Sequence, residues 1–356
     1  MHTSVRRALL GLASTALVAS TAVAGPAEAA TPEAEASAGW LTRQLSDGVV
    51  HNDQYDFDDY GLTLDIWFAL HTLDVRAAAQ GGILDARESK IAAYTTFDGT
   101  TYAGQVAKLL TAVESAEIDP ASYGDGSLLS TLQGLVATSG PQTGRAKDDT
   151  SGKDISNTIG QSFAVRGLTL ADDELEGPTT AYLLKQQCAA GFFRESLGTK
   201  AKQDFTCRLG RAEGTSAPSV DATAFAVMAL QAARAGGVDG LGDDIKDAVA
   251  WLRSQQNDNG SFTGNDVPNA NTTGLAAGVL AGPAPAAAAK AARWLDGLRV
   301  TKGLASDGTL GGEAGAVAYN RNAFREARND GITTETRDQW RRATAQAAVG
   351  LASLAQ

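Results

Sequence analysis

The chain has 356 residues, 41 acidic and 30 basic side chains, a formal net charge of −11 and a pI near 4.8. This acidic balance disfavours nucleic acids and anionic lipid surfaces as partners. The length suits one large domain or two small ones.

The first 29 residues are typical of an export signal. A basic start, MHTSVRR, precedes the uncharged stretch ALLGLASTALVASTAVA, and the small-residue triplet at 27–29 fits a cleavage site. The stretch is short and Ala-rich for a membrane anchor, and no later stretch is long and apolar enough to span a bilayer. We therefore expect a signal peptide over residues 1–29 and a secreted, extracellular protein. It should keep no membrane anchor after cleavage, and residues 30–356 should form a single domain.

Apolar residues recur at helical spacing along the mature chain, and runs with strand alternation are nearly absent. The helical segments include LTLDIWFALHTL, GQVAKLLTAV, DATAFAVMALQAAR, IKDAVAWLRSQ, AAAAKAARWLDGL and RRATAQAAVGLASL. The pattern predicts an all-α fold.

A short pattern recurs along the chain: an aromatic residue, Leu, two residues, Gln, a short gap, Gly, one residue and an apolar residue. The copies contain Trp40 and Gln44; Tyr182, Gln186 and Gly191; Trp251, Gln255, Gly260 and Phe262; and a partial copy at Trp294 lacks the Gln. We expect the aromatic ring to fill the seam between units and the Gln to bond backbone groups between them. The Gly can supply the positive φ that follows a helix end.

A second apolar helix follows each full copy of the pattern. We expect Gly61, Asp221 and Asn271 to be the cap or turn residues before these helices, because Asp and Asn can satisfy the free N–H groups of a first turn. The spacing of the copies predicts about six helix pairs, with degenerate copies of the pattern in the middle of the chain. Each pair is too small to bury its own apolar face alone.

The repeat resembles the "QW" motif of squalene and hopene cyclases, whose cousins build the α/α toroid of protein prenyltransferases. The segment from Lys290 to Trp294 is similar to the first half of that motif, and the segments 186–193 and 255–262 are similar to the second. The resemblance implies an α/α toroid with about six inner and six outer helices and a cavity at one end.

Two activities of such toroids can be compared with this chain. Prenyltransferases hold zinc with Asp, Cys and His, and no such ligand set is visible here, so we expect no metal and no cofactor. Class II terpene cyclases use the middle Asp of an Asp-x-Asp-Asp motif as acid. Asp56, Asp58 and Asp59 match that motif with Asp58 in the acid position.

The acidic cluster also has a structural interpretation. It lies two residues ahead of the repeat position held by Asp221 and Asn271, and aromatic residues make up only 6% of the chain. A run of acids before a helix favours the helix N-terminus and is usually solvated. We therefore expect these acids to cap and solvate the helix that follows.

Ligand carriage is the function that we expect. Secreted toroids that resemble this one include the helical domain of the cobalamin carriers. We expect non-catalytic binding of an unknown small molecule or cell-surface partner in the barrel mouth. The alternative is a terpene-cyclase-like or other barrel enzyme that uses acids near Asp58 and Asp65.

Asp65 interrupts an apolar helix. Secreted α/α barrels also include glycoside hydrolases and lyases that use two carboxylates, and Asp58 and Asp65 would share one face of an extended helix. A carboxylate among apolar residues needs a partner or a raised pKa. Asp65 is therefore either a pocket residue or a side chain bonded to a neighbouring helix.

The two cysteines are Cys188 and Cys207. An exported chain meets an oxidising compartment, which favours a disulfide between them. A metal site is the alternative, but neither cysteine has a histidine near it in the sequence.

Overall fold

The computed structural model describes residues 30–197, 206–207, 217–306 and 308–355. The predicted signal peptide lies outside these ranges. Within them, no helix has both the length and the apolar character that a bilayer span needs.

Fourteen α-helices and three antiparallel two-stranded hairpins make up the regular structure of the described residues. The helices are α1 (Pro32–Thr42), α2 (Tyr60–Thr72), α3 (Ala77–Glu88), α4 (Ile91–Thr95), α5 (Ala103–Ser115), α6 (Leu128–Leu135), α7 (Thr158–Leu170), α8 (Glu176–Leu184), α9 (Val220–Gly236), α10 (Gly242–Ser254), α11 (Ala270–Leu280), α12 (Pro285–Asp296), α13 (Arg321–Asp330) and α14 (Thr334–Leu351). The strands are β1 (His51–Asn52), β2 (Phe57–Asp58), β3 (Thr96–Phe97), β4 (Thr100–Thr101), β5 (Thr263–Gly264) and β6 (Val267–Pro268). Short 3₁₀ turns cover Gly308–Leu310 and Ala352–Ala355.

Six helices form a closed inner ring. Going round it, α2, α5, α7, α9, α11 and α14 each contact the next, and α14 contacts α2. The outer helices α3, α6, α8, α10 and α12 pack on the inner helix that precedes each of them, and α1 packs on α14. The chain is therefore an α/α toroid of six helix pairs, as predicted.

The two ends of the described chain close the ring. Helix α1 is the outer partner of α14, and the Thr31 hydroxyl donates to the Leu351 carbonyl at 3.1 Å. A second bond joins the Ser37 hydroxyl to the Gly315 carbonyl at 2.8 Å. One helix pair is consequently built from the two ends of the described chain, α1 and α14.

Side chains of Asp, Asn and Ser cap four of the inner helices. Their oxygens accept the backbone N–H three residues further on, at 2.8–3.1 Å, in helices α2, α7, α9 and α11. The capping residues are Asp59, Asn157, Ser219 and Asn269. The predicted cap positions at Gly61, Asp221 and Asn271 are therefore wrong by two residues, and Asp59 occupies the same repeat position as Ser219 and Asn269.

Glycine turns before five of the six inner helices pack closely against an outer helix. Gly260 has φ +94°, and a Cβ there would lie 2.3 Å from the Lys290 carbonyl oxygen on α12. Two residues later, the Phe262 N–H donates to the Thr273 hydroxyl on α11 at 2.9 Å. The same close approach recurs at the turns that begin with Gly48, Gly144, Gly191 and Gly315. The N–H two residues later donates to a Thr hydroxyl in three of these turns and to Gln161 Oε1 in the turn after Gly144.

The glutamines that join neighbouring units lie one residue after two of those in the sequence pattern. Gln187 donates to the Asp244 carbonyl at 2.9 Å, and Gln256 donates to the Ala287 carbonyl at 2.8 Å. Gln186 instead accepts from Arg194, and Gln255 donates to the Ser254 hydroxyl.

The reason for this shift is the length of the turn. Gln44, Gln187 and Gln256 each precede the turn glycine by four residues, whereas the aromatic residue is one position further away in the later copies. Gln44 donates to the Trp40 carbonyl at 3.3 Å and accepts from Arg341. The glycine, and not the aromatic ring, therefore sets the repeat register.

Most of the repeat aromatics are deeply buried. Trp40, Tyr182 and Phe262 have no exposed surface and Trp294 has little, whereas Trp251 is partly exposed. The Trp251 ring packs against that of Phe192 at 5.4 Å, next to the cysteine pair.

The predicted disulfide is confirmed. Cys188 and Cys207 are bonded, with their Cα atoms 4.8 Å apart, and both side chains are buried.

Candidate functional site at the mouth of the toroid

All six inner helices begin at the same end of the ring, which we call the mouth. Two contacts support this: Gly104 in the first turn of α5 touches Gly160 in the first turn of α7, and Asp59, the cap of α2, binds Arg342 in the third turn of α14. A cavity at this end is lined by residues from the β1–β2 turn, from the first turn of α11 and from the first three turns of α14. The mouth is therefore built by residues that are distant in sequence.

One stripe of each inner helix faces the central lumen. On α9, Asp221, Phe225 and Met228 are partly exposed while the residues between them are buried. This spacing of four and three residues is one face of a helix. The equivalent residues of α2 are Gly61, Asp65 and Phe68.

Aromatic rings form the floor of the mouth. The Phe163 ring of α7 lies 5.5 Å from the Phe68 ring of α2 and 5.4 Å from the Phe225 ring of α9. The Arg166 guanidinium lies 5.5 Å and 5.7 Å from the centres of the Phe68 and Phe163 rings. Burial lowers the pKa of Arg166 to about 10.

Asp65 projects into the lumen and is bonded to a neighbouring helix. Its Oδ1 lies 2.5 Å from the Lys108 ammonium of α5, which also donates to the Gly61 carbonyl at 3.0 Å. The ion pair explains how an apolar helix accommodates a carboxylate at this position.

Asp59 has two partners. Its Oδ1 accepts the Leu62 N–H at 2.8 Å and caps α2, and its Oδ2 forms an ion pair with Arg342 of α14. The Arg342 Nε also donates to Asp338 at 2.8 Å. Asp59 is therefore fixed as a buried structural carboxylate that joins α2 to α14.

Asp56 and Asp58 lie on the exposed β1–β2 hairpin. Asp58 Oδ1 is 3.1 Å from His51 Nδ1, Asp56 Oδ1 is 3.4 Å from His51 Nε2, and the Asp58 side chain is 48% exposed. The hydrogen bond to Asp58 is the main cause that raises the pKa of His51. Asp56 and Asp58 therefore share the exposed His51 as a partner whereas Asp59 is buried, and Asp58 is not in a dry pocket.

Five buried acceptor oxygens at lumen-facing positions have no hydrogen-bond partner among the described residues. They belong to four inner helices and are Gln105 Oε1, Asp221 Oδ1, Asn271 Oδ1, Asp338 Oδ1 and Gln346 Oε1. An unpaired buried acceptor costs about 1–3 kcal/mol. A set of them that faces one opening therefore indicates a place for a ligand that donates hydrogen bonds.

Asp221 has the most perturbed environment of this set. Burial raises the pKa of its carboxyl, the nearby Thr272 side chain opposes the rise, and Glu195 adds to it. Sequence reasoning missed Asp221 and Asn271 as site residues because it placed them at helix caps. The signal that could have found them is the four-and-three spacing from Asp221 to Phe225 and Met228.

The cavity at the mouth has a volume of about 280 Å³. Two of the unpaired acceptors, on Asn271 and Asp338, belong to residues that line it. Tyr55, Tyr319 and Arg342 contribute to the same wall. The cavity thus combines acceptor oxygens, aromatic rings and one guanidinium. Among the described residues, no group of three or more His, Cys, Asp or Glu side chains is placed to share a metal ion.

Comparison with protein-family models and with curated proteins finds no match to this sequence. Solved structures do match the fold. The GH76A α-1,6-mannanase from Salegentibacter sp. HEL1_6 superposes with a TM-score of 0.61 at 11% identity, covering 91% of this chain and 99% of the mannanase. An inactive variant of that enzyme, with two consecutive aspartates replaced by asparagine and α-1,6-mannotriose bound, gives a TM-score of 0.59 at 11% identity, covering 90% and 99%.

Terpene cyclases share the fold as well. The type II terpene cyclase MstE from Scytonema gives a TM-score of 0.59 at 13% identity, covering 91% of this chain and 97% of MstE. The ent-copalyl diphosphate synthase from Streptomyces platensis gives a TM-score of 0.51 at 13% identity over 83% of this chain, and the chain spans 50% of that synthase. At these identities the matches establish an α/α toroid that is common to glycosidases and cyclases.

Proposed function

We propose that this protein is exported and binds a carbohydrate in the mouth of its toroid. The observation that carries the proposal is the set of five unpaired acceptor oxygens at lumen-facing positions, among them Asp221, Asn271 and Asp338. A sugar presents several hydroxyl donors on a small rigid ring, so one ligand can satisfy several of these oxygens. The basic and apolar N-terminus and the disulfide support export.

A neutral polyol suits the polar and aromatic lining of this site. Lys108 and Arg342 are each ion-paired, with Asp65 and with Asp59, so the unpaired acceptor oxygens remain for hydroxyl donors. Tyr55 and Tyr319 line the cavity with rings that have an apolar face and a polar tip. Sugar rings present an apolar C–H face and polar edges, which match such walls.

The likeness to the α-1,6-mannanase supports this ligand class. That enzyme uses the same fold, and its inactive variant holds α-1,6-mannotriose. We therefore take α-1,6-linked mannose as the first ligand to test. The proposal is for binding, because Asp59 is occupied as a cap and ion-pair partner and Asp58 is exposed.

The geometry does not favour terpene cyclisation. The acid of such an enzyme must stay protonated in a dry pocket, whereas Asp58 is half exposed beside His51. A carbocation also needs free aromatic faces, and the Arg166 guanidinium lies over Phe68 and Phe163 in the floor. That fixed positive charge would repel a cationic intermediate.

Titration calorimetry of the purified mature protein with α-1,6-mannotriose, and with trisaccharides of other linkages, tests the proposal. We expect at least one sugar to bind, and Asn271→Ala to weaken its binding about tenfold through loss of one buried hydrogen bond. Asn329→Ala, at an exposed position on α13, is the matched control and should leave the affinity unchanged. Thermal unfolding of each variant separates loss of contact from loss of fold. The proposal fails if no sugar binds, or if both variants bind like the unaltered protein.

A further inference from the structure

Large apolar side chains stand exposed around the mouth. Six of them are more than a third exposed among the described residues, and five precede inner helices: Tyr55 (69%), Phe57 (45%), Phe97 (75%), Ile155 (57%) and Val267 (38%). The sixth, Leu170 (42%), ends α7 at the opposite end of the toroid. The exposed apolar surface is therefore concentrated on one rim.

This rim follows three consecutive inner helices and continues at a fourth, α11. Tyr55 and Phe57 lie before α2, Phe97 before α5 and Ile155 before α7, and Val267 lies before α11. Since α14 stands between α11 and α2, these residues border most of the mouth. Exposed apolar residues that are grouped in this way mark an interaction surface.

The aromatic members are held on ordered hairpins. Phe57 lies in β2 opposite Asn52, and Phe97 lies in β3 opposite Thr100. A two-residue turn with positive φ at Asp98 and Gly99 closes the second hairpin, as tight hairpins require. Because these strands are hydrogen-bonded, the rings are presented to solvent at fixed places on the rim.

We propose that this rim binds a polysaccharide, with Phe57 and Phe97 stacking on sugar units outside the mouth. The inference rests on the proposed function and extends it from a short sugar to a polymer. The cavity of about 280 Å³ lies at the small end of the range for ligand pockets, so it accommodates only a short part of such a chain. Tyr55 lines this cavity and is also the most exposed aromatic residue of the first hairpin, so the two surfaces are continuous.

The charge of the protein disfavours another occupant. An anionic membrane would be repelled by a chain with a formal net charge of −11. Asp53, Asp56 and Asp58 lie on the same hairpin as Tyr55 and Phe57, and Asp98 lies next to Phe97. Aromatic rings between acids suit an uncharged, hydroxyl-rich polymer, which can stack on the rings and donate to the carboxylates.

The test compares the affinity of one oligosaccharide series, from the disaccharide to long oligomers, for three proteins. The unaltered protein should bind longer oligomers more tightly. The variant Phe57→Ala with Phe97→Ala should lose about tenfold in affinity for long oligomers and none for the shortest that binds. Leu170→Ala removes a comparably exposed side chain from the opposite end and should behave like the unaltered protein.

The outcomes separate this inference from the proposed function. If no sugar binds to the unaltered protein, the proposed function fails and the rim inference fails with it. If short sugars bind but the double variant keeps the full gain with length, only the rim inference is overturned. Co-sedimentation of the unaltered protein with uncharged phosphatidylcholine vesicles, lost in the double variant, would instead assign the rim to a lipid surface. All these side chains are exposed, so thermal unfolding should confirm that the variants fold normally.

Discussion

The carboxylate of Asp59 caps helix α2 with one oxygen and binds Arg342 of helix α14 with the other. The two residues are 283 positions apart and meet because the helix ring closes. This contact joins the first inner helix to the last, directly below the hairpin that carries Asp56 and Asp58. Asp59 therefore has a structural role, although it belongs to an apparent catalytic motif.

Substitution of Asp59 should therefore lower stability in two separable steps. Asparagine can still cap a helix, so Asp59→Asn should remove only the ion pair, at a cost of about 1 kcal/mol. Asp59→Ala removes both contacts and should cost about 2 kcal/mol in the free energy of unfolding. Urea denaturation of both variants measures these values. Asp58→Asn is the control and should change stability little. Equal losses in Asp59→Asn and Asp59→Ala would contradict the capping role.

The ion pair between Asp65 and Lys108 should behave as a coupled unit. Lys108→Met leaves the Asp65 carboxylate unpaired in the lumen and should destabilise the fold by about 2 kcal/mol. Adding Asp65→Asn removes the unpaired charge, so the double variant should recover most of that loss. Chemical denaturation of the two single variants and the double variant completes the cycle. Additive losses would mean that the two side chains do not interact.

Asp221 should make stability depend on pH. Burial raises the pKa of its carboxyl above the value in the unfolded chain, so the folded state holds the proton more tightly. As pH rises from about 4, the unfolded state releases this proton first, and the free energy of unfolding falls until the folded pKa is passed. Asp221→Asn has no carboxyl at this position and should not show this pH-dependent loss of stability.

The free energy of unfolding of Asp221→Asn, relative to that of the unaltered protein, should therefore rise between pH 4 and pH 7, by on the order of 1 kcal/mol. Urea denaturation at several pH values measures the difference. Asp98→Asn, in an exposed turn, is the matched control. A difference between Asp221→Asn and the unaltered protein that does not change with pH would show that this carboxyl is not perturbed by folding.

Gly260 should not tolerate a side chain. Alanine there would need a positive φ and would place its Cβ 2.3 Å from the Lys290 carbonyl oxygen. Because this oxygen belongs to the backbone of α12, relief requires a shift of the outer helix, and we expect a loss of about 2–4 kcal/mol. Gly282→Ala meets nothing within 4 Å and should be nearly neutral. Thermal unfolding compares the two, and similar melting temperatures would refute the close approach.

Sequence patterns predicted the helices and their pairing well because both are local. The segments around Val106, Leu132 and Phe163 carry an apolar periodicity, and each became a helix. The patterns misplaced the caps and two glutamines by one or two residues. Each shift depends on the geometry of the turns, which differ in length. Aligning the copies on Trp40, Tyr182 and Trp251 does not take this difference into account.

The candidate site was less predictable, because a shift of two residues turns a side chain through about 200° around a helix axis. Asp221 and Asn271, taken as caps, instead face the lumen from the first turn. Lys108 and Arg342 belong to no recognisable sequence motif. They nevertheless form ion pairs with Asp65 and Asp59, which belong to a different helix in each case.

By itself, the sequence determined the helical periodicity, the repeat, the cysteine pair and the residue types that can cap or turn, since these depend on neighbours along the chain. The tertiary structure decided which polar residues share the mouth, because the six inner helices meet only when the ring closes. Ring closure also brings Arg342 to Asp59, whereas Asp56 and Asp58 lie in the exposed hairpin beside His51. The physical reason is that burial and charge pairing are set by partners distant in sequence, and these decide which carboxylates are free to act on a ligand.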